Sequence, residues 1–196
     1  MTKRFSFSKI AMWLFLLTVI MIFGSLTSAY LVNKSFLAEP LIYDLPSILW
    51  VNLAVIIFSS VTLQFSVWAN KQENYKQAAI GLGMTMILGF VFLYGQYESW
   101  DIMTASGLPF VDDTRTDPDN PGRIDNTVSF FYIFTGLHGV HLMAGLIALV
   151  FMVFRTLSNS FPVGRRKMAF ELTATFWHFL GALWLYLFIF LKYTQT

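Results

Sequence analysis

The spacing of charges constrains this chain more than any other feature: five stretches of 20 or more residues contain no Asp, Glu, Lys or Arg. They lie between Lys9 and Lys34, Asp44 and Lys71, Lys76 and Glu98, Asp125 and Arg155, and Glu171 and Lys192. A helix rises about 1.5 Å per residue, so about 20 residues cross a hydrocarbon core of about 30 Å. Hydrocarbon offers no water to an unpaired backbone group, so such a segment must satisfy itself as a helix. The sequence predicts an all-α polytopic membrane protein, a bundle of five transmembrane helices. The expected spans are approximately residues 10–33, 47–70, 77–97, 127–154 and 172–191, with a polar loop over 98–126 and a single transmembrane domain over 1–196.

Composition narrows the function. Charged residues make up 12% of the chain, against about 25% in an ordinary soluble domain. The net charge of +2 and the lack of a basic patch beside aromatics outside the spans argue against a nucleic-acid partner. With no cysteine there is no disulfide framework, thiolate metal site or covalent c-type haem attachment. Met1-Thr-Lys-Arg before an apolar run resembles a signal sequence, but a signal core is about 7–15 residues. The run from Ile10 to Asn33 is longer and is read as a retained helix.

Orientation follows from the basic residues. Lys3, Arg4, Lys9, Lys71, Lys76, Arg155, Arg165, Arg166 and Lys167 fall on one side, and Lys34, Arg115, Arg123 and Lys192 on the other. By the positive-inside rule the nine face the cytoplasm, which puts the N-terminus inside and the C-terminus outside. The acidic, turn-rich stretch from Asp112 to Asp125 is then an external loop. It reads as a solvated connection. A Ca²⁺ site, although the spacing is not that of an EF-hand, and a docking surface for a basic partner remain open.

Ionisable groups inside a membrane are costly and are functional candidates by default. Here they are His138 and His141 in the fourth span and His178 in the fifth, with Glu98 and Glu171 at span edges. His138 and His141, three apart, are expected on one helical face. A zinc or copper site needs three or four ligands, and no Cys, Asp or Glu is at hand. A bis-histidine haem between His141 and His178 is geometrically open. His141 would lie about 21 Å from the outer edge and His178 about 9 Å from the inner edge, which match across about 30 Å. The plainer reading is interhelical hydrogen bonding. Ser59, Ser60, Thr62, Gln64, Thr135 and Gly136 read as bonding or close-packing residues, as do Gly81, Gly83, Gly89 and Gly95. Trp50, Trp68, Trp100, Trp177 and Tyr193 read as interfacial belts. No broken-helix pair or inverted repeat favours a transporter.

Two stretches resemble a known family. Ser129-Phe-Phe-Tyr-Ile-Phe-Thr-Gly-Leu-His-Gly-Val-His-Leu-Met-Ala-Gly145 is similar to the T-G-x-H-G-x-H-V-x-x-G signature of subunit III of the haem–copper respiratory oxidases. Thr135, Gly136, His138, Gly139, His141 and Gly145 match, with Leu142 for the usual Val. Phe170-Glu-Leu-Thr-Ala-Thr-Phe-Trp-His-Phe-Leu-Gly-Ala-Leu-Trp-Leu-Tyr-Leu-Phe188 resembles F-E-x-x-x-x-Y-W-H-F-V-D-x-x-W-L-F-L-F, matching at Glu171, Trp177, His178, Phe179, Trp184 and Leu185. Ser59-Ser-Val-Thr-Leu63, Glu98 and Ile10-Ala-Met-Trp-Leu-Phe-Leu16 are also family-like, so the resemblance runs from about Phe5 to Tyr193.

The resemblance implies the five-helix bacterial form, without the first two helices of longer members and with their lipid cleft one-sided or filled by another subunit. It implies an accessory, non-redox subunit of a proton-pumping terminal oxidase, of the cytochrome c or the quinol type, in the bacterial cytoplasmic membrane. Haem and copper are expected in partner subunits and none in this chain. Implied partners are the catalytic subunit I, other oxidase subunits, a respiratory supercomplex and membrane lipids, with phospholipid as a bound component. Two departures stand out: Val19 replaces a family glutamate, and Gly181 replaces an aspartate beside His178. Roles of those acids in proton handling do not transfer.

Overall fold

The computed structural model describes residues 2–37, 41–112, 116–117, 120–158, 160–161 and 165–195, with side chains described outside 2–6 and 113–124. Five helices form: α1 (Thr2–Ser35), α2 (Ile48–Lys71), α3 (Tyr75–Ala105), α4 (Thr127–Leu157) and α5 (Arg166–Thr194). Each is long and apolar enough to cross a membrane. α2, α3, α4 and α5 close a ring in which each packs on the next, α2 against α3 most extensively and α5 against both α4 and α2. α1 leans on α4 and α5 from outside this ring. Its apolar window is 22% buried against 50% for α5, so most of α1 faces outward.

The helices outrun the charge-free blocks. α3 continues to Ala105, which puts Glu98 and Asp101 on the helix instead of in the expected loop. The charge-free length reports only the hydrocarbon thickness, whereas a helix goes on until its backbone finds another partner. α3 stops where Gly107 takes φ 75°. There the Gly107 and Leu108 N–H groups bond the carbonyls of Thr104 and Met103 at 3.0 Å each, a Schellman closure that uses glycine's freedom in the left-handed region. α1 and α5 likewise begin before residues 10 and 172. The polar loop also holds a short antiparallel pair, β1 (Thr116–Asp117) with β2 (Asn120–Ile124), which the sequence reading did not anticipate. Of the acidic side chains proposed there for Ca²⁺ or docking, those of Asp113, Asp117 and Asp119 lie outside the described residues, while Asp125 accepts from the Thr127 N–H at 2.8 Å.

Polar contacts gather at the two ends of the bundle. On the side of the α1 N-terminus, Lys9 pairs with Glu171 at 3.2 Å and the Arg166 guanidinium stacks 3.7 Å over the Tyr75 ring. On the opposite side, Lys34 donates to the Thr194 carbonyl, and the Leu41 N–H to Asp125 at 2.9 Å. The Tyr43 N–H donates to Gln195 there, and Gln195 in turn to the Tyr30 hydroxyl at 3.2 Å. Tyr43 is buried in this rim, and burial pushes its phenol pKa up. Between the rims, small residues let the helices approach closely, and a few interhelical hydrogen bonds such as Ser66 to the Ala78 carbonyl join them. Gly81 lies against Ser66, where an added Cβ would sit 2.8 Å from that side chain and 3.0 Å from its Cα; Gly83, two residues on, has open space.

This contrast gives a paired expectation. Gly81→Ala forces α2 and α3 apart against backbone atoms and should destabilise the protein by about 1–3 kcal/mol, the usual penalty of overpacking. Gly83→Ala should be neutral or stabilising, because alanine is the better helix former. Unfolding titrations of the two variants in mild detergent check both.

Candidate functional site: an aromatic and histidine core

α4 carries the signature residues, and the helix rotation sends them to different neighbours. His138 is fully buried and faces α3 and α5, its ring 5.7 Å from Phe92 and 5.0 Å from Trp184. Trp184 meets Phe92 edge-on at 4.9 Å. His141 faces α1 instead, with its ring 5.9 Å from Phe23 and 6.5 Å from Phe15 and its Nδ1 2.8 Å from the Leu137 carbonyl oxygen. Three helical steps leave the two rings about 60° apart, enough to split them between neighbours. The expectation of a shared face is corrected on this point.

His178 turns in a third direction. Its Nε2 lies 3.4 Å from Gln64 Oε1 on α2, on the outer side of the ring. His141 among α1 aromatics and His178 beside α2 therefore do not form the facing pair that a bis-histidine haem requires. Among the described residues no group of three or more His, Cys, Asp or Glu side chains converges on a metal-sized space.

The remaining signature residues divide between packing and the rims. Trp177 is fully buried and is not the interfacial belt residue expected from sequence. Its indole N–H donates to the Ser59 hydroxyl of α2 at 2.9 Å. Gly89 of α3 and Gly145 of α4 make room for the ring, since added Cβ atoms would meet it at 2.9 and 3.3 Å. Trp100 donates to the Thr135 hydroxyl at 2.9 Å and so sets α3 against α4. Gly136 is in ordinary contact with Trp100, and a Cβ on Gly139 would meet nothing within 4 Å. Glu171 belongs to the Lys9 pair, and Glu98 accepts the Tyr94 hydroxyl proton at 2.6 Å. Thr62 bonds Thr85 at 2.8 Å, another interhelical tie. Sequence reasoning passed over Asn52, Phe92, Gln96 and Ser99, all buried, of which Phe92 meets His138. Their signal was available: Phe92, Gln96 and Ser99 recur at helical spacing on α3.

The two departures from the family pattern lie on α1 and α5. Phe15, Val19 and Phe23 share one face of α1, and Val19 is buried one turn from each of the two phenylalanines whose rings contact His141. Gly181 lies close to Ser60 and Ile56 of α2. Beside them, α1 and α5 enclose an open apolar groove of about 300 Å³, lined by Ile20, Phe23, Gly24, Phe179, Leu183 and Tyr186. A second groove of about 470 Å³ shares Ile20 and Phe179 and continues along Trp13 and Leu17.

Comparison with known proteins agrees with this picture. The family model for cytochrome c oxidase subunit III matches residues 6–196. A probable cytochrome c oxidase subunit 3 from Rickettsia bellii is 29% identical over 201 residues, covering 93% of this chain and 67% of that protein. The cytochrome c oxidase subunit 3 of Corynebacterium diphtheriae is 29% identical over 72% of this chain and 62% of its own length. That of Locusta migratoria is 30% identical over 70% of this chain and 46% of its own. The chain spans about two thirds of the length of its Rickettsia relatives.

The Trp177 seat yields a direct expectation. Ser59→Ala leaves the buried indole N–H without an acceptor and should cost about 1–3 kcal/mol. Trp177→Phe in the Ser59→Ala background removes that orphaned donor, so the two changes should combine non-additively in unfolding measurements.

Proposed function

We propose that this chain, which belongs to the cytochrome c oxidase subunit III family, works as the accessory, non-redox subunit of a haem–copper terminal oxidase. In this reading it packs against the catalytic subunit I, which with its companions holds the haem and copper, and supports that subunit's stability and proton uptake. The observation that carries the proposal is the use made of the signature residues. His138, Trp177, Trp184 and Thr135 are spent on helix-to-helix contacts, and the three histidines face three different neighbours. Cytochrome c as the electron donor is taken from the relatives' names; a quinol-oxidising complex is the alternative. A supercomplex with other respiratory enzymes is a further extension of the same reading.

The exposed apolar side chains of α1, such as Trp13, Ile20 and Met21, offer surface to lipid and to neighbouring subunits. The apolar grooves between α1 and α5 suit phospholipid acyl chains. The proposed setting is the bacterial cytoplasmic membrane, with the N-terminus inside and the C-terminus outside, on the strength of the nine basic residues on one side.

Purification through a tag on this chain should bring down a haem- and copper-containing catalytic polypeptide. In complexes carrying His141→Ala or His178→Ala, the haem content per catalytic polypeptide should stay unchanged while subunit retention weakens. Loss of one haem equivalent from an assembled complex would sink the accessory reading in favour of a cytochrome.

Topology is checked separately by single cysteines, which the parent sequence lacks. A cysteine at Asp117 should react with an impermeant reagent in intact spheroplasts. One at Glu73 should react only after the membrane is broken, and the reverse pattern overturns the orientation.

A further inference from the structure

Many buried hydroxyls within these spans return their protons to their own helix, and Ser66 of α2 gives its proton to the Ala78 carbonyl of α3. Thr27, Ser59, Thr85, Thr135 and Thr156 each donate to a carbonyl three or four residues earlier. Ser99, fully buried on α3, makes no such bond. Its neighbours share the condition. Both amide atoms of Gln96, both ring nitrogens of His138, Nε1 of Trp184 and Nδ2 of Asn52 have no protein partner among the described residues. None of these five side chains is more than 2% exposed. Trp177, buried to the same degree, has its indole proton bonded to Ser59.

The five are buried side chains of the four ring helices, α2 to α5. The rings of Phe92, His138 and Trp184 lie within 5.7 Å of one another, centroid to centroid. Gln96 and Ser99 follow Phe92 one and two turns along the buried face of α3. The Trp100–Thr135 bond fixes the α3–α4 register, with His138 one turn beyond Thr135. Asn52 of α2 closes on Gly95, the residue before Gln96.

The chemistry of the set selects its ligand. Trp184 can only donate, Gln96 and Asn52 carry NH₂ groups, and neutral imidazole offers one donor and one acceptor. A cation would meet N–H donors; an anion would meet the Gln96 carbonyl and the imidazole lone pair. A neutral molecule that both gives and accepts hydrogen bonds suits both halves, and buried water typically makes about three such bonds to otherwise unsatisfied groups.

We propose that the interior of the four-helix ring binds ordered water at His138, held by Gln96, Ser99 and Trp184 and bounded on the α2 side by Asn52. The water joins α3, α4 and α5 in one polar network beside the Phe92, His138 and Trp184 rings. Such a network fixes register and rotation more sharply than apolar contacts do. The site lies wholly within this chain, so its test does not depend on which oxidase the chain joins.

Magic-angle-spinning NMR on the full-length chain, isotope-labelled and reconstituted in bilayers with deuterated acyl chains, tests the site by starting magnetisation on water. Transfer should reach the His138 ring nitrogens and the Gln96 side-chain amide well before it reaches Trp177 Nε1, the bonded indole at equal burial. Gln96→Leu, or Ser99→Ala should the first variant misfold, should abolish the early His138 signal and leave Trp177 unchanged. Transfer to His138 no faster than to Trp177 in the wild type overturns the proposal. So do direct through-bond couplings between His138 and Gln96 or Ser99, and so does an early signal that survives both substitutions.

Discussion

Trp177 projects from α5 into a slot where α3 and α4 present glycines, Gly89 and Gly145, and its indole proton reaches Ser59 of α2. One side chain thus ties all four helices of the ring. Within a bilayer, lipid tails are as apolar as the helices, so association rests on close fit and interhelical bonds instead of escape from water. A large ring with a single donor suits that role: its face fills the slot and its N–H admits only one register. Gly81 against Ser66 and Gly181 against Ser60 and Ile56 repeat the principle on a smaller scale, a missing side chain on one helix receiving a neighbour.

Charged contacts follow a different rule. The Lys9–Glu171 pair is substantially exposed, and pairs of that kind contribute about 0–1 kcal/mol. Together with the Lys34–Thr194 and Gln195–Tyr30 contacts, it holds α1 to α5 at the two rims. The middle of α1 is held by Phe15 and Phe23 around His141 and against Phe176. α1 is therefore the least embedded of the five helices and offers the broadest outward apolar surface.

The substitutions that set this chain apart from the family pattern make sense in that frame. Val19 is buried on α1, one turn from each of the two phenylalanines, Phe15 and Phe23, whose rings contact His141. Val19 and Gly181 lie on α1 and α5, the two helices that wall the apolar grooves. Membership in the subunit III family and an arrangement built on packing are compatible with the loss of both acids.

The five long apolar helices and the family were legible in the sequence, because hydropathy and charge spacing are properties of single residues that add along the chain. Helix ends were not, since α3 stops at a Schellman closure around Gly107 instead of at its first charge. The antiparallel pair beyond it had no apolar alternation to announce it. The placement of Trp177 was missed because a tryptophan a few residues inside a span carries the same local signal whether it meets headgroups or glycines. The separation of His138 from His141 likewise depends on the rotation of α4 among three neighbours. So does the burial of Asn52, Gln96 and Ser99. Sequence determined what each segment must cross; only the tertiary structure decided what each side chain meets, because helix rotation is set by the joint fit of all the helices around it.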